Sequence, residues 1–125
     1  MEIAHGEELI VFHVTRTDDH ASQEFADSFL SHSQLGLPPR GQSPEETHPL
    51  IYEGISAFDT KEAAIETAKR VRRAGGDIGG FVTEIRLNHA LGAKYLRWGA
   101  RGHLTLWCDP LKLAQSAVDT IPIGA

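Results

Sequence analysis

The chain has 125 residues, of which 41% are hydrophobic and 23% charged, and its 12 basic and 17 acidic side chains give a formal net charge of -5. This length suits one soluble domain that buries a single core. The acidic balance argues against a protein that binds nucleic acid mainly through its phosphates, because such binding needs a strong positive field.

Neither a membrane span nor an exported protein is indicated. No apolar run approaches the ~20 residues that cross a bilayer. The first residues, MEIAHGEE, carry acids where a secretory leader would carry bases before a long apolar segment. Cys108 is the single cysteine, so no internal disulfide can form, which suits a reducing compartment. We therefore expect a cytoplasmic protein without membrane contact.

The stretch LIVFHVTR, residues 9–16, predicts a strand that is apolar at its start and polar towards its end. Successive side chains of a strand point to opposite faces. One face carries Ile10, Phe12 and Val14, and the other carries Leu9, Val11, His13 and Thr15. A face that turns polar halfway is what we expect where a strand enters a cleft.

A helix and a long loop follow. Phe25, Ala26, Phe29 and Leu30 recur at the three- and four-residue spacing of a helix near 21–34, which Gly36 ends. Proline and glycine are frequent over 36–50, which predicts a loop. Loops of this length in a compact domain are binding-site lids or disordered segments, and both interpretations stay open.

The middle of the chain predicts a strand, a helix and a second strand. IYEGISAFDT gives the first strand, and Asp59 can cap the next helix, with Glu62 reaching back in a capping box. Gly75 and Gly76 end this helix. GGFVTEIRL then predicts a strand with Glu84 and its alternate neighbours on one face.

The last third predicts two short strands, a helix and an edge strand. AKYLRW and HLTLWC give the two strands, and GARG turns between them. Asp109 and Pro110 open a helix whose apolar stripe runs to Val118, and IPI forms the edge strand. The whole chain, 1–125, therefore predicts one α+β domain with a bent, mainly antiparallel sheet and two or three flanking helices.

Two histidines and one glutamate are the main candidates for chemistry. A histidine precedes a threonine by two positions at His13 and Thr15, and again at His103 and Thr105. Two such side chains point the same way and can hold a small polar ligand, or they can satisfy each other inside the protein. Glu84 lies in an apolar strand, either paired with a base or placed to stabilise developing positive charge.

Several other chemistries lack their motifs. The seven histidines show no three- or four-residue pairing and no HExxH, so no metal site is expected. GGDIGG lacks the GxxxxGK[ST] pattern of a phosphate-binding loop, and no GxSxG nucleophile elbow is present.

Three segments together resemble the ADP-ribosyltransferase-like fold of the poly-ADP-ribose polymerases, the DNA-modifying ADP-ribosyltransferase toxins and the RNA 2'-phosphotransferases. LIVFHVT, 9–15, is similar to that fold's first strand, an apolar run followed by His, one residue and Ser or Thr. YEGISAFDTKEAA, 52–64, resembles its strand that passes through an acidic or hydroxyl turn into a helix. GHLTLWCDP, 102–110, resembles a late strand with Trp. The segments cover about 30 of the 125 residues.

The resemblance implies an enzyme that takes NAD as its substrate, cleaves the nicotinamide–ribose bond and modifies a protein or nucleic acid, as a toxin would. The catalytic residues would be Glu84, facing the developing cation, and His13. The NAD-binding residues would be His13, Thr15, Tyr52, Ser56, Phe58 and His103, with Tyr52 or Phe58 stacked on nicotinamide. The loop at 36–50 would cover the site.

The chain also departs from the family. Val14 stands where many members have the glycine that holds nicotinamide through its backbone. Without the catalytic carboxylate, the same fold would be a nucleotide binder or a phosphotransferase. The alternatives are therefore a non-catalytic module that binds a nucleotide or a protein, and an interaction module whose histidines are structural. An antitoxin or a second copy of the chain stays open as a partner.

Overall fold

The computed structural model describes residues 1–36, 53–97 and 102–124. Within these ranges the chain is α+β, with one six-stranded antiparallel sheet and four helices. The strands are β1 (Glu8–Thr15), β2 (Ile55–Phe58), β3 (Phe81–Asn88), β4 (Lys94–Arg97), β5 (His103–Trp107) and β6 (Ala117–Pro122). The helices are α1 (Gln23–Asp27), α2 (His32–Leu35), α3 (Lys61–Arg73) and α4 (Pro110–Gln115). The predicted α+β class and antiparallel sheet are confirmed.

The sheet has the strand order β4-β5-β2-β1-β3-β6 and consists of two halves. β1 pairs with β3 along its whole length, from Glu8 opposite Asn88 to Thr15 opposite Phe81. On its other side, β1 pairs with β2 in register only where Phe12 meets Phe58. The half β1-β3-β6 and the half β4-β5-β2 thus meet at a seam between β1 and β2.

Helices cover both faces of the sheet. We call front face the one against which α3 packs, and back face the one against which α1 and α4 pack. The front core contains Val14, Phe58, Ala64, Ala68, Val82 and Ile123. The back core is larger and includes Val11, Phe25, Phe29, Ile85, Leu104, Leu106 and Leu113. Val11 and Val14 lie on opposite faces, so the alternation predicted for β1 is confirmed.

The single helix predicted over 21–34 is wrong, because two short helices occupy this segment. α1 ends at Asp27, and Ser31 starts α2 with a complete capping box in which its hydroxyl accepts from the Gln34 amide. A residue in cap conformation has extended backbone and cannot continue a helix. Gly36 ends α2 with a φ of +72°, as the sequence predicts.

Two other boundaries differ from the sequence predictions. Thr60, and not Asp59, is the N-cap of α3, where its hydroxyl accepts from the Ala63 amide, while Asp59 forms an ion pair with Arg97. The last helix also ends earlier than its apolar stripe, which runs to Val118, predicts. α4 ends at Gln115, and β6 begins at Ala117 because this segment completes the ladder with β3.

Some predictions fall outside the described ranges. These are the loop at 36–50 beyond Gly36, Tyr52, and most of the GARG turn. Within the described residues, no helix has the length and apolar character needed to cross a membrane.

Candidate functional site

The structure places the predicted site residues on opposite faces of the sheet. His13 and Thr15 lie on the back face with Val11, and the ring of His13 contacts Phe29, which follows the C-cap of α1, at 5.2 Å between centroids. The predicted residues on the front face are Ser56, Phe58, Glu84 and His103. The structure therefore does not bring His13 and Glu84 together, and one ligand on either face would not touch both.

The His13 ring is enclosed by backbone acceptors. Its Nδ1 lies 2.6 Å from the carbonyl oxygen of Ser56, and its Nε2 lies 2.6 Å from the carbonyl oxygen of Ser28, the C-cap of α1. Only 8% of the residue is exposed. Both ring nitrogens thus contact the protein itself.

Threonines next to His13 form a hydrogen-bonded chain across the same half of the sheet. Thr15 Oγ1 lies 3.0 Å from Thr83 Oγ1, which lies 2.8 Å from Thr120 Oγ1. His20 Nε2 ends the chain 2.7 Å from Thr120, and Thr15 donates to the carbonyl oxygen of Thr17. The Thr15 hydroxyl therefore has hydrogen-bond partners inside the protein, as in the interpretation that gives this residue an interior role.

On the front face, a row of side chains crosses five strands at one level of the sheet. The registered pairs are Phe58 with His103, Phe58 with Phe12, Phe12 with Glu84, and Glu84 with Asp119. Neighbouring strands lie about 4.8 Å apart, so about 14 Å separates His103 from Glu84. This row places aromatic side chains between an imidazole and two carboxylates.

A groove of about 410 Å³ lies over the acidic end of this row. Its floor comes from β1, β3 and β6, and its wall comes from the turn that enters α3. The lining residues are Phe12, Val82, Glu84, Asp119, Ile121, Asp59, Thr60, Lys61 and Glu62. We call this open depression the front groove.

Two of the carboxylates in the front groove are paired with arginines. Arg86 donates to Glu84 over 2.9 Å, and this hydrogen bond raises the pKa of the guanidinium. Arg97 binds Asp59 through both Nε and Nη2 and lies over the ring of Tyr95. The hydrogen bonds to Asp59 raise the pKa of Arg97. These pairs hold Glu84 in the floor of the groove and Asp59 in its wall.

The other two carboxylates differ from them. Among the described residues, no basic side chain forms an ion pair with Glu62 or Asp119. Asp119 Oδ1 accepts only from the Thr120 amide, and Lys61 has no acidic partner in the same ranges. The groove can therefore offer these two carboxylates and the Lys61 ammonium group to a ligand, in addition to Glu84, which is partly exposed while it pairs with Arg86.

Ser56, Phe58 and His103 form a second group beside the groove. His103 Nε2 lies 3.1 Å from the hydroxyl of Ser56, and the Phe58 ring meets the imidazole edge-on at 5.5 Å. Phe58 is only 4% exposed because α3 covers it. The aromatic side chain that lines the groove is instead Phe12, which the sequence analysis placed on the face of β1 opposite to His13.

The N-terminus of α3 closes one end of the front groove. Thr60 caps the helix, so the Ala63 amide is satisfied, while Lys61 and Glu62 line the groove in the first turn. The first amides of a helix have no intrahelical partner and carry partial positive charge. This end can hold an anionic group even though the rest of the groove is acidic.

No metal cluster is found within the described ranges, where no three His, Cys, Asp or Glu side chains come together in a suitable group. Cys108 lies half-buried against the back core, with its Sγ 3.9 Å from the carbonyl oxygen of Leu91. Burial raises the pKa of its thiol, which lowers the reactive thiolate fraction at neutral pH.

Of the residues that line the groove, only Glu84 was predicted. The sequence analysis assigned Asp59 to a helix cap. Asp119 falls between the predicted helix, whose stripe runs to Val118, and the predicted edge strand IPI. Their approach to Glu84 follows from strand pairing between distant segments, for which the sequence has no local signal. Comparison with known proteins adds no further guidance, since no family model, curated protein or solved structure matches the chain.

Proposed function

We propose that the front groove binds NAD and that the chain is an ADP-ribosyltransferase-like enzyme, which cleaves the nicotinamide–ribose bond and transfers ADP-ribose to a macromolecule. The observation that supports this most directly is the position of Glu84. Its side chain is 26% exposed and lies between Phe12 and Asp119 in the groove. A carboxylate held beside an aromatic floor is suited to a substrate that becomes positively charged on the ribose.

The proposed chemistry gives the carboxylates of Glu84 and Asp119 different roles. When the bond breaks, its electron pair leaves with nicotinamide, and the ribose carbon becomes an oxocarbenium-like cation that Glu84 stabilises. An acceptor hydroxyl, amine or water then attacks this carbon and loses a proton. Asp119, the cross-strand neighbour of Glu84, is placed to receive that proton.

The remaining parts of NAD need partners as well. The diphosphate would face the first amides of α3 and Lys61, the positive end of the groove. Ser56 in β2 and His103 in β5, across the seam from β1, would bind ribose hydroxyls. His13 and Thr15 have no ligand contact in this proposal, since they lie on the back face.

The test is nicotinamide release from NAD by the purified chain. We expect Glu84→Gln to lower the rate by about 100-fold, a typical loss when one transition-state electrostatic contact is removed. The matched control is Glu66→Gln, which removes an exposed carboxylate of α3 that pairs with Arg73 outside the groove. This control should release nicotinamide at the wild-type rate.

Two outcomes would contradict the proposal. One is no nicotinamide release and no rise in unfolding temperature with NAD, because a ligand that binds only the folded chain must stabilise it. The other is an equal loss of activity in both variants, which would indicate a general effect of charge.

The unpaired carboxylates favour a second candidate, a non-catalytic module that binds a cationic segment of a protein. Glu62 and Asp119 would pair with its basic side chains, and Phe12 would contact their aliphatic stems. Such binding weakens as salt rises, because added ions screen the attraction. A chain that is stabilised by a lysine- and arginine-rich peptide at low salt, and not by NAD, is this module.

A further inference from the structure

The seam between β1 and β2 has little backbone pairing for the centre of a sheet. It contains one registered pair, Phe12 with Phe58, whereas the neighbouring β1–β3 ladder is complete over eight residues. The front groove depends on this seam, because its floor comes from β1 and β3 while its wall follows β2. Side-chain contacts therefore hold the two halves together across the seam, and both cores contain residues from each half.

His13 bridges the seam from the back face. Its Nδ1 contacts the carbonyl of Ser56 in β2, and its Nε2 contacts the carbonyl of Ser28 at the end of α1, both at 2.6 Å. A carbonyl oxygen can only accept a hydrogen bond. A neutral imidazole has one N–H, so it would satisfy one carbonyl and direct a lone pair at the other.

A doubly protonated ring would donate a hydrogen bond to each of the two carbonyls. The two distances, 2.6 Å each, are slightly below the usual range for nitrogen–oxygen hydrogen bonds, and a charged donor shortens such bonds. Burial opposes a charged ring. Two strong hydrogen bonds from one ring offset that cost, since the neutral ring would leave one buried carbonyl unpaired and facing a lone pair.

We propose that His13 is held as an imidazolium in the folded chain and is a positioning residue for the front groove. It ties β2 and α1 to β1, and so sets the place of Phe12 and Asp59 relative to each other. When the ring loses a proton, one of the two bonds breaks and the seam loosens. This inference concerns the groove's shape and does not depend on which ligand the groove binds.

The described groups that face the His13 ring carry no charge, and a second imidazole, His103, contacts the Ser56 hydroxyl and the Phe58 ring on the front face. Ser28, Phe29, Ser56 and the cross-strand neighbour Thr83 face the ring, and none of them titrates in the neutral range. The charged residues on the same elements lie elsewhere. Glu8 is exposed at the start of β1 and Arg16 after its end, Glu24 and Asp27 are exposed on α1, and Glu84 and Arg86 are on the front face of β3.

The sign of the pH dependence follows from proton binding. An unfolded histidine loses its proton around pH 6.5, and the folded chain holds the His13 proton to higher pH. The stabilisation is complete below that pH, where both states are protonated, and disappears as the pH rises to the point where the folded ring releases its proton.

The experiment is nuclear magnetic resonance of the folded chain with ¹⁵N-labelled histidine, followed from pH 5.5 to 9. At pH 7.5 an exposed histidine is about nine-tenths neutral. We expect both ring nitrogens of His13 to carry a proton at this pH. We also expect the resonances of Phe12, which lines the front groove, to shift together with His13 when it titrates; Phe58 is not used, because its ring contacts His103.

The matched control is His20→Gln. The His20 ring contacts the hydroxyl of Thr120, which can accept or donate, so neither protonation state is required there. This variant should keep the titration of the groove resonances, whereas His13→Gln should lose it. If His13→Gln does not fold, the wild-type spectra decide alone. An unprotonated ring nitrogen on His13 at pH 7.5, or groove resonances that stay constant while His13 titrates, would overturn the proposal.

Discussion

Gly79 lies just before β3 with a φ of +137°, and a Cβ atom at this position would be 2.4 Å from the carbonyl oxygen of Thr15. Both the backbone angle and the close approach require glycine. We expect Gly79→Ala to lower the free energy of unfolding by about 2 kcal/mol or more, measured by urea denaturation.

The adjacent Gly80 is the control for this substitution. A Cβ there meets nothing within 4 Å, and its φ lies outside the left-handed region. Gly80→Ala should leave the free energy of unfolding nearly unchanged. If both variants lost the same free energy of unfolding, the close approach to Thr15 would not be the reason that position 79 requires glycine.

Single residues also show what the sequence could and could not predict about the site. Glu84 could be found because a charged side chain in an apolar strand is a local anomaly. Asp119 and Phe12 could not, because their place in the groove depends on the register of β1, β3 and β6. His13 was found for the same reason as Glu84, but the sequence does not reveal that two backbone carbonyls would occupy both its nitrogens.

Among the elements, α3 depends on Thr60 for its first turn. The Thr60 hydroxyl accepts from the Ala63 amide over 3.1 Å, which satisfies one of the amides left free at a helix start. Thr60→Ala should lower the free energy of unfolding by about 1 kcal/mol, whereas Thr60→Ser keeps the hydroxyl and should cost much less. Thermal and urea unfolding of the three proteins provide the measurement. A loss in Thr60→Ser as large as in Thr60→Ala would argue against the cap.

The elements were predicted best where a local signal and the tertiary contacts agree. α3 has a helical stripe whose alanines pack on the front core, and its existence and length were anticipated. The segment 21–34 has a similar stripe, but Ser31 and Gln34 form a capping box inside it and divide it into two helices. Ala117 and Val118 fit a helix stripe equally well, yet pairing with β3 makes them part of a strand.

For the whole molecule, the differences in backbone pairing predict that the strands open locally with different free energies. β1 and β3 share a complete ladder in the middle of the six-stranded sheet, whereas β4 is a four-residue edge strand. Amide hydrogen exchange should therefore be slowest in Glu8–Thr15 and Phe81–Asn88 and fastest in Lys94–Arg97 among the strands. Exchange in β4 as slow as in β1 would contradict this order.

The fold class followed from the order of elements, but the strand order did not. Alternation predicted which residues of β1, β3 and β5 share a face, and the structure agrees. Nothing in the sequence indicates that β1 is central or that it is poorly paired with β2. These properties depend on contacts between segments more than 40 residues apart, such as His13 and Ser56.

The two halves of the sheet are interleaved along the chain. Starting in β1, the polypeptide moves to the other half for β2, returns for β3, leaves again for β4 and β5, and comes back for β6. Neither half corresponds to a continuous stretch of sequence, so no single cut could release one as an autonomous unit. A fragment that stops after β5 would leave β3 as a bare edge, open to pairing with other chains.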